Sequence, residues 1–282
     1  MKTKLLNIKG ELLSLEKPIV MGILNVTPDS FFPESRQTNE NKVIQRIETI
    51  RSEEGVWIDV GGYSTRPDAM DVSPEDEWQR LEPTLRLLMK HYPEMRVSVD
   101  TFRADIAKRA VEDYGVSIIN DISGGSRDPD MFETVAELNV PYLLTHYSDQ
   151  PQNGCNDTDG KQITEDVMLY FAEKLHLLRL LGVKDVIIDP GFGFGKTLEQ
   201  NYELLSNLNH FSLLFECPLC VGISRKRMIY NLLDCSVDES LNGTTVLNAY
   251  ALLNGADLLR VHEVKAAIEA LKLIDKLIQL SR

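Results

Sequence analysis

Short apolar runs rich in β-branched residues alternate with longer amphipathic stretches along this chain of 282 residues. Such alternation is typical of parallel βαβ units, in which each buried strand is followed by a crossover helix. About eight units favour a closed (β/α)8 TIM barrel in the α/β class, and barrels of this kind need roughly 250 residues. No G-x-G-x-x-G follows the first run, which argues against an open dinucleotide-binding sheet. The predicted strands are 19–24, 56–60, 96–100, 117–120, 140–145, 185–188, 218–222 and 257–261.

The stretches between these runs have helical periodicity. No linker and no short-period repeat divides the chain, so we predict one barrel domain over residues 18–282. Residues 1–17 are predicted to form a hairpin or cover that precedes it. The predicted helices are 40–54, 75–90, 102–114, 129–138, 162–181, 197–208, 225–233 and 263–280, with a further helical stretch within 234–256 assigned to the last crossover.

The charge balance limits the partners. The net charge is −13, and an acidic surface repels nucleic acid and anionic lipid. No apolar run approaches the ~20 residues that span a bilayer, and residues 1–17 lack the features of a signal peptide. We therefore expect a cytoplasmic protein with no nucleic-acid or membrane partner, whose anionic substrates need a local cluster of basic groups.

Two of the four cysteines, Cys217 and Cys220, form a C-x-x-C pair. Such a pair can indicate redox or zinc chemistry, but a zinc site needs two further ligands, and no second C-x-x-C or H-x3-H is present. The surrounding apolar residues favour two reduced thiols in a buried strand.

Polar side chains follow every predicted strand, at the end where barrel enzymes place their function. Taken singly, each can be a helix cap or a turn residue. Taken together, side chains from different strands converge on one barrel mouth, and burying them unpaired would cost roughly 1–3 kcal/mol each. The set includes Asp100, Asn120, Asp189 and Lys226.

These four residues suit a flat heterocycle with an amidine-like edge and a carbonyl. Carboxylates accept hydrogen bonds from ring N–H and NH2 groups, and an ammonium donates to a ring nitrogen or oxygen. A guanidinium such as Arg260 can stack on the flat face. Nearby donors suit a phosphate group or its Mg2+, namely Asn25, Thr65, Arg66 and His262.

Seven motifs resemble those of the dihydropteroate synthase family in order and spacing, from about residue 18 to residue 278. They read GILNVTPDSF, DVGGYSTRP, VSVDT, IINDISGG, DPGFGFGKT, GISRK and RVHEV. The resemblance implies a TIM barrel, a homodimer and a Mg2+-assisted reaction. That reaction joins 6-hydroxymethyl-7,8-dihydropterin pyrophosphate to p-aminobenzoate, giving 7,8-dihydropteroate and pyrophosphate. A sulfonamide target in folate biosynthesis is thereby implied.

The resemblance also implies roles for single residues. Asp100, Asn120, Asp189 and Lys226 would hold the pterin, with Arg260 over its face. Thr65 and His262 would bind the pyrophosphate, and Asn25 would do so beside the metal. The p-aminobenzoate site would be lined by Phe31, Arg66, Pro67, Phe194 and Lys226. The residues expected to act in catalysis are Asn25, Arg66, Asp100, Lys226 and His262, with loops 27–38 and 63–73 as lids.

Four positions depart from the family pattern. Pro33 stands where the first loop usually carries an acid, and we expect Glu34 to take that part, so that Glu34→Ala lowers kcat more than affinity. Asp68 replaces a glycine, Thr145 replaces a methionine, and Arg227 replaces a serine beside the expected p-aminobenzoate carboxylate.

Two other functions remain open at this stage, and a third is disfavoured. A pterin-dependent methyltransferase barrel shares the pterin pocket but has no need of the STRP and SRK loops. A non-catalytic paralogue is compatible with the altered first loop and Asp68. A phosphate-binding aldolase barrel needs a Schiff-base lysine within a strand, whereas Lys226 follows Ser-Arg at the start of a loop.

Overall fold

The structure is a computed structural model, and it describes residues 4–27, 36–55, 57–63, 72–148 and 162–280. Within these ranges a hairpin precedes eight parallel strands. The hairpin is β1 (Leu5–Ile8) and β2 (Glu11–Ser14). The barrel strands are β3 (Ile19–Asn25), β4 (Trp57–Gly61), β5 (Arg96–Asp100), β6 (Ile118–Asp121), β7 (Tyr142–Thr145), β8 (Val186–Asp189), β9 (Cys220–Val221) and β10 (Leu258–Val261).

The barrel strands pair in the order β8-β7-β6-β5-β4-β3-β10-β9. A parallel bridge between Ile188 and Leu219 joins β8 to the residue before β9, and it closes the sheet into a barrel. The predicted (β/α)8 barrel is therefore confirmed. Strand β9 is shorter than predicted, but its neighbours still place the residues after it at the mouth.

Helices cover the outside of the barrel. They are α1 (Arg36–Ser52), α2 (Pro74–His91), α3 (Ala104–Tyr114), α4 (Met131–Leu138), α5 (Gln162–Leu180), α6 (Leu198–Ser206), α7 (Leu208–Leu214), α8 (Arg227–Leu233), α9 (Leu241–Leu253) and α10 (Val264–Leu280). The single helix predicted over 197–208 is followed by the unpredicted α7. Asn207 separates the two helices, because its backbone φ of −101° and ψ of 14° depart from helical values.

Apolar side chains fill the N-terminal end of the barrel, which we call the floor. Met21, Trp57, Ile118, Leu143, Ile187, Cys220 and Leu258 form one cluster with Leu6, Ile8 and Leu15 of the hairpin segment. The Asn7 amide donates to Asp185 at 2.8 Å, and Lys4 pairs with Asp257 at 2.8 Å. The hairpin therefore plugs the floor, and the polar residues that follow the strands lie at the opposite end.

No helix in the described ranges is long and apolar enough to cross a membrane. Cys217 and Cys220 are free thiols, and Cys220 is fully buried on β9, where burial raises its pKa well above the usual range. Cys220 follows the prediction of a thiol in a buried strand, whereas Cys217 is only partly buried and lies at a bend before β9.

Candidate active site

Arg260 lies at the centre of the barrel mouth. Its Nε donates to Asp59 Oδ2 at 2.6 Å, and its Nη2 donates to Asp100 Oδ2 at 2.8 Å. The Asn120 amide donates to the same Asp59 oxygen at 2.9 Å. In the sheet register Asp59 is level with Ser98, which is two residues before Asp100 on β5, and Asp100 is level with Asn120. Asp59 therefore lies one layer deeper in the barrel than Asp100 and Asn120. One arginine thus joins β10 to β4 and β5.

Asp59, which was not among the residues selected from the sequence, organises the pocket. It is fully buried, and its side chain orients both Arg260 and Asn120. Its inward position two residues before the end of β4 was the available signal. Arg260 is held by two carboxylates in this structure, so its stacking on a ligand stays a prediction.

Burial dominates the electrostatics of this cluster. It raises the pKa of Asp100 to about 7, and the Arg260 charge opposes that rise. Burial acts to lower the pKa of Arg260, but the carboxylates of Asp59 and Asp100 outweigh it and hold the pKa above its usual range. Asp100 therefore exchanges its proton near neutral pH, while Arg260 stays charged.

Asp189 and Lys226 form the other side of the mouth. Asp189 Oδ1 accepts from the Gly191 amide at 2.7 Å. The Lys226 ammonium donates to the Phe192 carbonyl and lies 4.2 Å from the centre of the Phe194 ring. Burial raises the pKa of Asp189 and lowers that of Lys226 to about 8, and the charge of each opposes the shift of the other. They form a buried acid and base beside an aromatic ring.

The glycines of the DPGFGFGKT motif allow this approach. Gly191 has a φ of +72°, and an added Cβ there would meet the His146 carbonyl oxygen at 2.0 Å. At Gly193, with a φ of +81°, an added Cβ would lie 3.1 Å from Cδ of Lys226. Only glycine fits both the left-handed backbone and the close contacts, so the motif folds the loop around the Lys226 stem.

Lys196, which sequence analysis did not select, holds this loop from inside. Its ammonium donates to the carbonyls of Gly191 at 2.8 Å, Phe194 at 3.1 Å and His146 at 3.3 Å. Burial and the Lys226 charge lower the pKa of Lys196 to about 7. The lysine ties the loop after β8 to the end of β7.

His262 is prepared as a neutral donor. Ser224 Oγ lies 3.0 Å from His262 Nδ1 and accepts from the His262 amide at 3.2 Å. Burial, and then the Arg260 charge, lowers the pKa of His262 to about 4. Because the Ser224 hydroxyl accepts from the backbone, we assign its hydrogen to Nδ1, which leaves the ring proton on Nε2. Ser224 thus fixes the orientation of the ring.

Two arginines outside the predicted set hold the backbone of the mouth. Arg46 of α1 donates to the His262 carbonyl and to the Ile23 carbonyl, the latter at 3.2 Å, and it ties β10 to β3. Arg225, in the SRK motif, has a φ of +55° and pairs with Glu263 at 2.6 Å. It clamps one loop to the next.

Asn25 ends β3 beside Asp100. A Cβ added at Gly61 would lie 3.3 Å from Asn25 Oδ1 and 3.7 Å from Asp100 Oδ2, so both groups flank this glycine. The described residues contain no group of three or more His, Cys, Asp or Glu side chains that could hold a metal.

The structure brings most of the predicted site residues to one mouth. Asn25, Asp100, Asn120 and Arg260 lie on one side, Asp189, Phe194 and Lys226 lie on the other, and His262 follows β10 between them. Four predicted residues lie outside the described ranges and are not placed: Phe31, Thr65, Arg66 and Pro67. The departures at Pro33, Glu34 and Asp68 lie there too.

Residues 21–262 match a family model described as "Pterin binding enzyme". The dihydropteroate synthase of Escherichia coli strain K12 is 36% identical over 269 residues, covering 95% of this chain and 94% of that protein. The chain belongs to the dihydropteroate synthase family. The matched segment runs from Met21 in β3 to His262, and so it contains all of the predicted site residues.

Solved structures agree with this assignment. The Xanthomonas albilineans dihydropteroate synthase with 4-aminobenzoic acid superposes with a TM-score of 0.88 at 32% identity, covering 98% of each chain. The Yersinia pestis dihydropteroate synthase in a sulfonamide drug complex gives a TM-score of 0.88 at 34% identity, covering 98% of this chain and 99% of that one.

Proposed function

We propose that this chain is a dihydropteroate synthase. It joins 6-hydroxymethyl-7,8-dihydropterin pyrophosphate to p-aminobenzoate in folate biosynthesis, as a transferase, and releases pyrophosphate. The observation that carries the proposal is the convergence of Asp100, Asn120, Asp189 and Lys226 from four strand ends on one mouth. Family membership supports the same reaction.

The pterin edge presents N–H and NH2 donors, and the mouth supplies the matching acceptors. Asp189 and Asp100 accept from these donors, the Asn120 amide bonds the ring, and Lys226 donates to a ring acceptor. The Asp59–Arg260 pair keeps Asp100 and Asn120 in place, because it is hydrogen bonded to both.

The pyrophosphate group lies toward His262 and Asn25 in this proposal. The neutral His262 ring offers Nε2–H without the cost of burying another charge. The Asn25 amide oxygen suits Mg2+, which commonly takes one or two protein oxygens together with phosphate oxygens and waters. Mg2+, when bound, neutralises charge on the departing pyrophosphate. This donor set therefore fits the implied metal, with Asn25 as its protein ligand.

The chemistry is a substitution at the pterin methylene carbon. The carbon–oxygen bond to pyrophosphate breaks, the amine nitrogen of p-aminobenzoate forms the new carbon–nitrogen bond, and that nitrogen releases a proton. Fixed donors at His262 act where negative charge develops on the leaving group, and such preorganised donors are an effective source of rate enhancement. The reaction needs no covalent enzyme intermediate.

The second substrate lies against Phe194 and Lys226 in this proposal. The ring stacks on Phe194, next to the Lys226 ammonium 4.2 Å away. Phe31, Arg66 and Pro67 complete the site, and Thr65 joins the pyrophosphate contacts. Sulfonamides, like the drug bound to the Yersinia pestis relative, would compete with p-aminobenzoate here. Arg227, exposed at the start of α8, replaces the usual serine with a cation.

A homodimer completes the proposal. Neighbouring helices α8, α9 and α10 expose large apolar side chains: Leu232, Leu233, Val246, Leu253, Leu273 and Leu277. A face of this kind can bury itself against its own copy about a two-fold axis. Sedimentation velocity should give a dimer, and Val246→Lys should shift it toward monomer without unfolding the chain.

The test is a two-substrate assay. The purified protein is incubated with Mg2+, the dihydropterin pyrophosphate and p-aminobenzoate, and dihydropteroate and pyrophosphate are measured in parallel. Product that requires both substrates supports the synthase, and loss of product in Lys226→Ala supports the site. Near-normal turnover in Lys226→Ala would contradict the site. Pterin binding without product would instead favour a catalytically altered paralogue.

A further inference from the structure

Cations and aromatic rings alternate along the mouth, on the loops that follow β5 to β9. We call this set the rim ladder, and its members are Phe102, Arg103, Arg127, Tyr147, Phe194 and Lys226. The Arg103 guanidinium lies 4.6 Å from the centre of the Phe102 ring, and the Arg127 guanidinium lies 5.1 Å from the centre of the same ring. Tyr147 and Phe194 have ring centres 6.0 Å apart, and Lys226 follows at 4.2 Å. The ladder is continuous from the rim to the pocket.

Arg127 differs from the other two cations of the ladder. Arg103 pairs with the buried Glu77, and Lys226 lies within the field of Asp189. Arg127 has no carboxylate within 4.0 Å among the residues that the structure describes. It is exposed, and its charge faces solvent at the open end of the ladder.

Contacts on two sides fix the Arg127 guanidinium. It lies 5.1 Å from the Phe102 ring and 5.0 Å from the Tyr147 ring, and its Nη2 donates to the Tyr147 hydroxyl at 2.8 Å. A guanidinium has five N–H donors in a planar fork that matches a carboxylate. One hydrogen bond to Tyr147 leaves donors available, so Arg127 presents an ordered anion-binding group with no carboxylate partner in the described ranges.

The charge of the whole chain makes such a group useful. At a net charge of −13, the protein repels anions, and both substrates of the proposed reaction are anionic. A local cation at the mouth raises the concentration of an approaching anion. The rings between Arg127 and Lys226 add a surface for a planar molecule. This combination suits an aromatic carboxylate better than a pyrophosphate.

We propose that Arg127 captures the carboxylate of the incoming p-aminobenzoate at the rim, and that Tyr147 and Phe194 then guide the ring toward Lys226. Arg127 is thus a recognition residue for the second substrate, beyond the pocket in which the reaction occurs. The inference rests on the proposed function for the identity of that substrate. Capture of the carboxylate by Arg127 depends on charge, and it precedes formation of the carbon–nitrogen bond.

The test compares Arg127→Gln with Arg109→Gln, which makes the same change of net charge. Arg109 is a matched control because it also stacks on a ring, at 4.0 Å from Trp78, but lies on α3 and pairs with Glu75. Steady-state rates are measured at about 20 mM and about 0.5 M NaCl, since added salt screens exposed charges.

At low salt, Arg127→Gln should raise KM for p-aminobenzoate about fivefold, and by less than about twofold at high salt. Its kcat and its KM for the pterin pyrophosphate should stay at the wild-type values. Arg109→Gln should match wild type throughout. With the neutral p-aminobenzamide as acceptor, Arg127→Gln should also match wild type, because that molecule has no carboxylate.

Equal KM values for p-aminobenzoate in Arg127→Gln and Arg109→Gln would overturn the inference. A rise confined to the KM of the pterin pyrophosphate would also overturn it and would assign Arg127 to the pyrophosphate. If wild type forms no dihydropteroate, the proposed function fails separately. Equilibrium binding of p-aminobenzoate to the same three proteins then tests Arg127 directly.

Discussion

The two ends of the barrel use the same strands in opposite ways. At the floor, inward positions carry apolar side chains such as Trp57 and Ile118, which pack beneath the N-terminal hairpin. Two residues further along the same strands, the inward positions carry Asp59 and Asn120, which are hydrogen bonded to each other at 2.9 Å. The pleat therefore separates a packed end from a polar end within a few ångströms.

This difference shows that the two ends of the barrel contribute differently to stability and to function. Burial of the floor side chains stabilises the folded state by roughly 25 cal/mol for each Å2 of apolar surface removed from water. Mouth residues lose hydration on burial, and the raised pKa of Asp189 and the lowered pKa of Lys226 record that cost. The floor should govern folding, and the mouth should govern binding.

The floor provides the largest expected change in stability. Trp57→Ala removes a side chain that is 1% exposed, and the cavity should lower the free energy of unfolding by about 3–5 kcal/mol. Chemical denaturation measures this loss. The kcat of the remaining folded protein should stay close to wild type. A selective loss of kcat with normal stability would break the division between the two ends.

The mouth should respond in the opposite manner. Asp189→Asn keeps the side-chain volume but removes the charge that faces the pterin. Hydrogen bonds to charged groups contribute about 1.5–3 kcal/mol, so pterin affinity should fall about 10- to 100-fold. Calorimetric titration with the pterin measures this change. An unchanged pterin affinity would contradict the assignment of Asp189 to that ring.

Lys226 gives a pH signature in which activity and stability diverge. Its folded pKa is about 8, against an ordinary value of 10.5. As pH rises through about 8, the folded protein loses the ammonium, so kcat/KM should fall. Between about 8 and 10.5 the unfolded chain binds more protons at this position, so its contribution to the free energy of unfolding should increase with pH.

Lys226→Arg separates these effects, because a guanidinium stays charged throughout that range. Its rate at neutral pH should be about tenfold lower, since the ammonium position is altered. The alkaline decline assigned to Lys226 should disappear. A pH–rate profile measures both, and an unchanged alkaline limb would assign the decline to another group.

The smallest expected effect lies at the exposed Arg227. Arg227→Ser restores the residue usual in the family, and it should raise KM for p-aminobenzoate by no more than about fivefold, since exposed charge pairs contribute roughly 0.2–1 kcal/mol. Initial rates at low salt measure the change, with kcat as the internal control. A lower KM in the serine variant would show that Arg227 hinders the substrate.

Much of the site could be predicted because barrels place the residues after each strand at one end. Asp100, Asn120, Asp189 and Lys226 each follow a strand, and the structure brings them to the same mouth. Lys196 and Ser224 were missed, because each acts through a carbonyl or a ring that is close only in the folded chain.

The sequence by itself determined the period of strands and helices, the polar residues at strand ends and the family. Each of these is local, set by neighbours along the chain. Tertiary structure decided that Arg260 pairs with Asp59 and Asp100, which lie 201 and 160 positions before it in the chain. It also left Arg127 ordered between two rings without a carboxylate partner in the described ranges. Such pairings depend on strand register and barrel closure, which bring distant residues within hydrogen-bond reach.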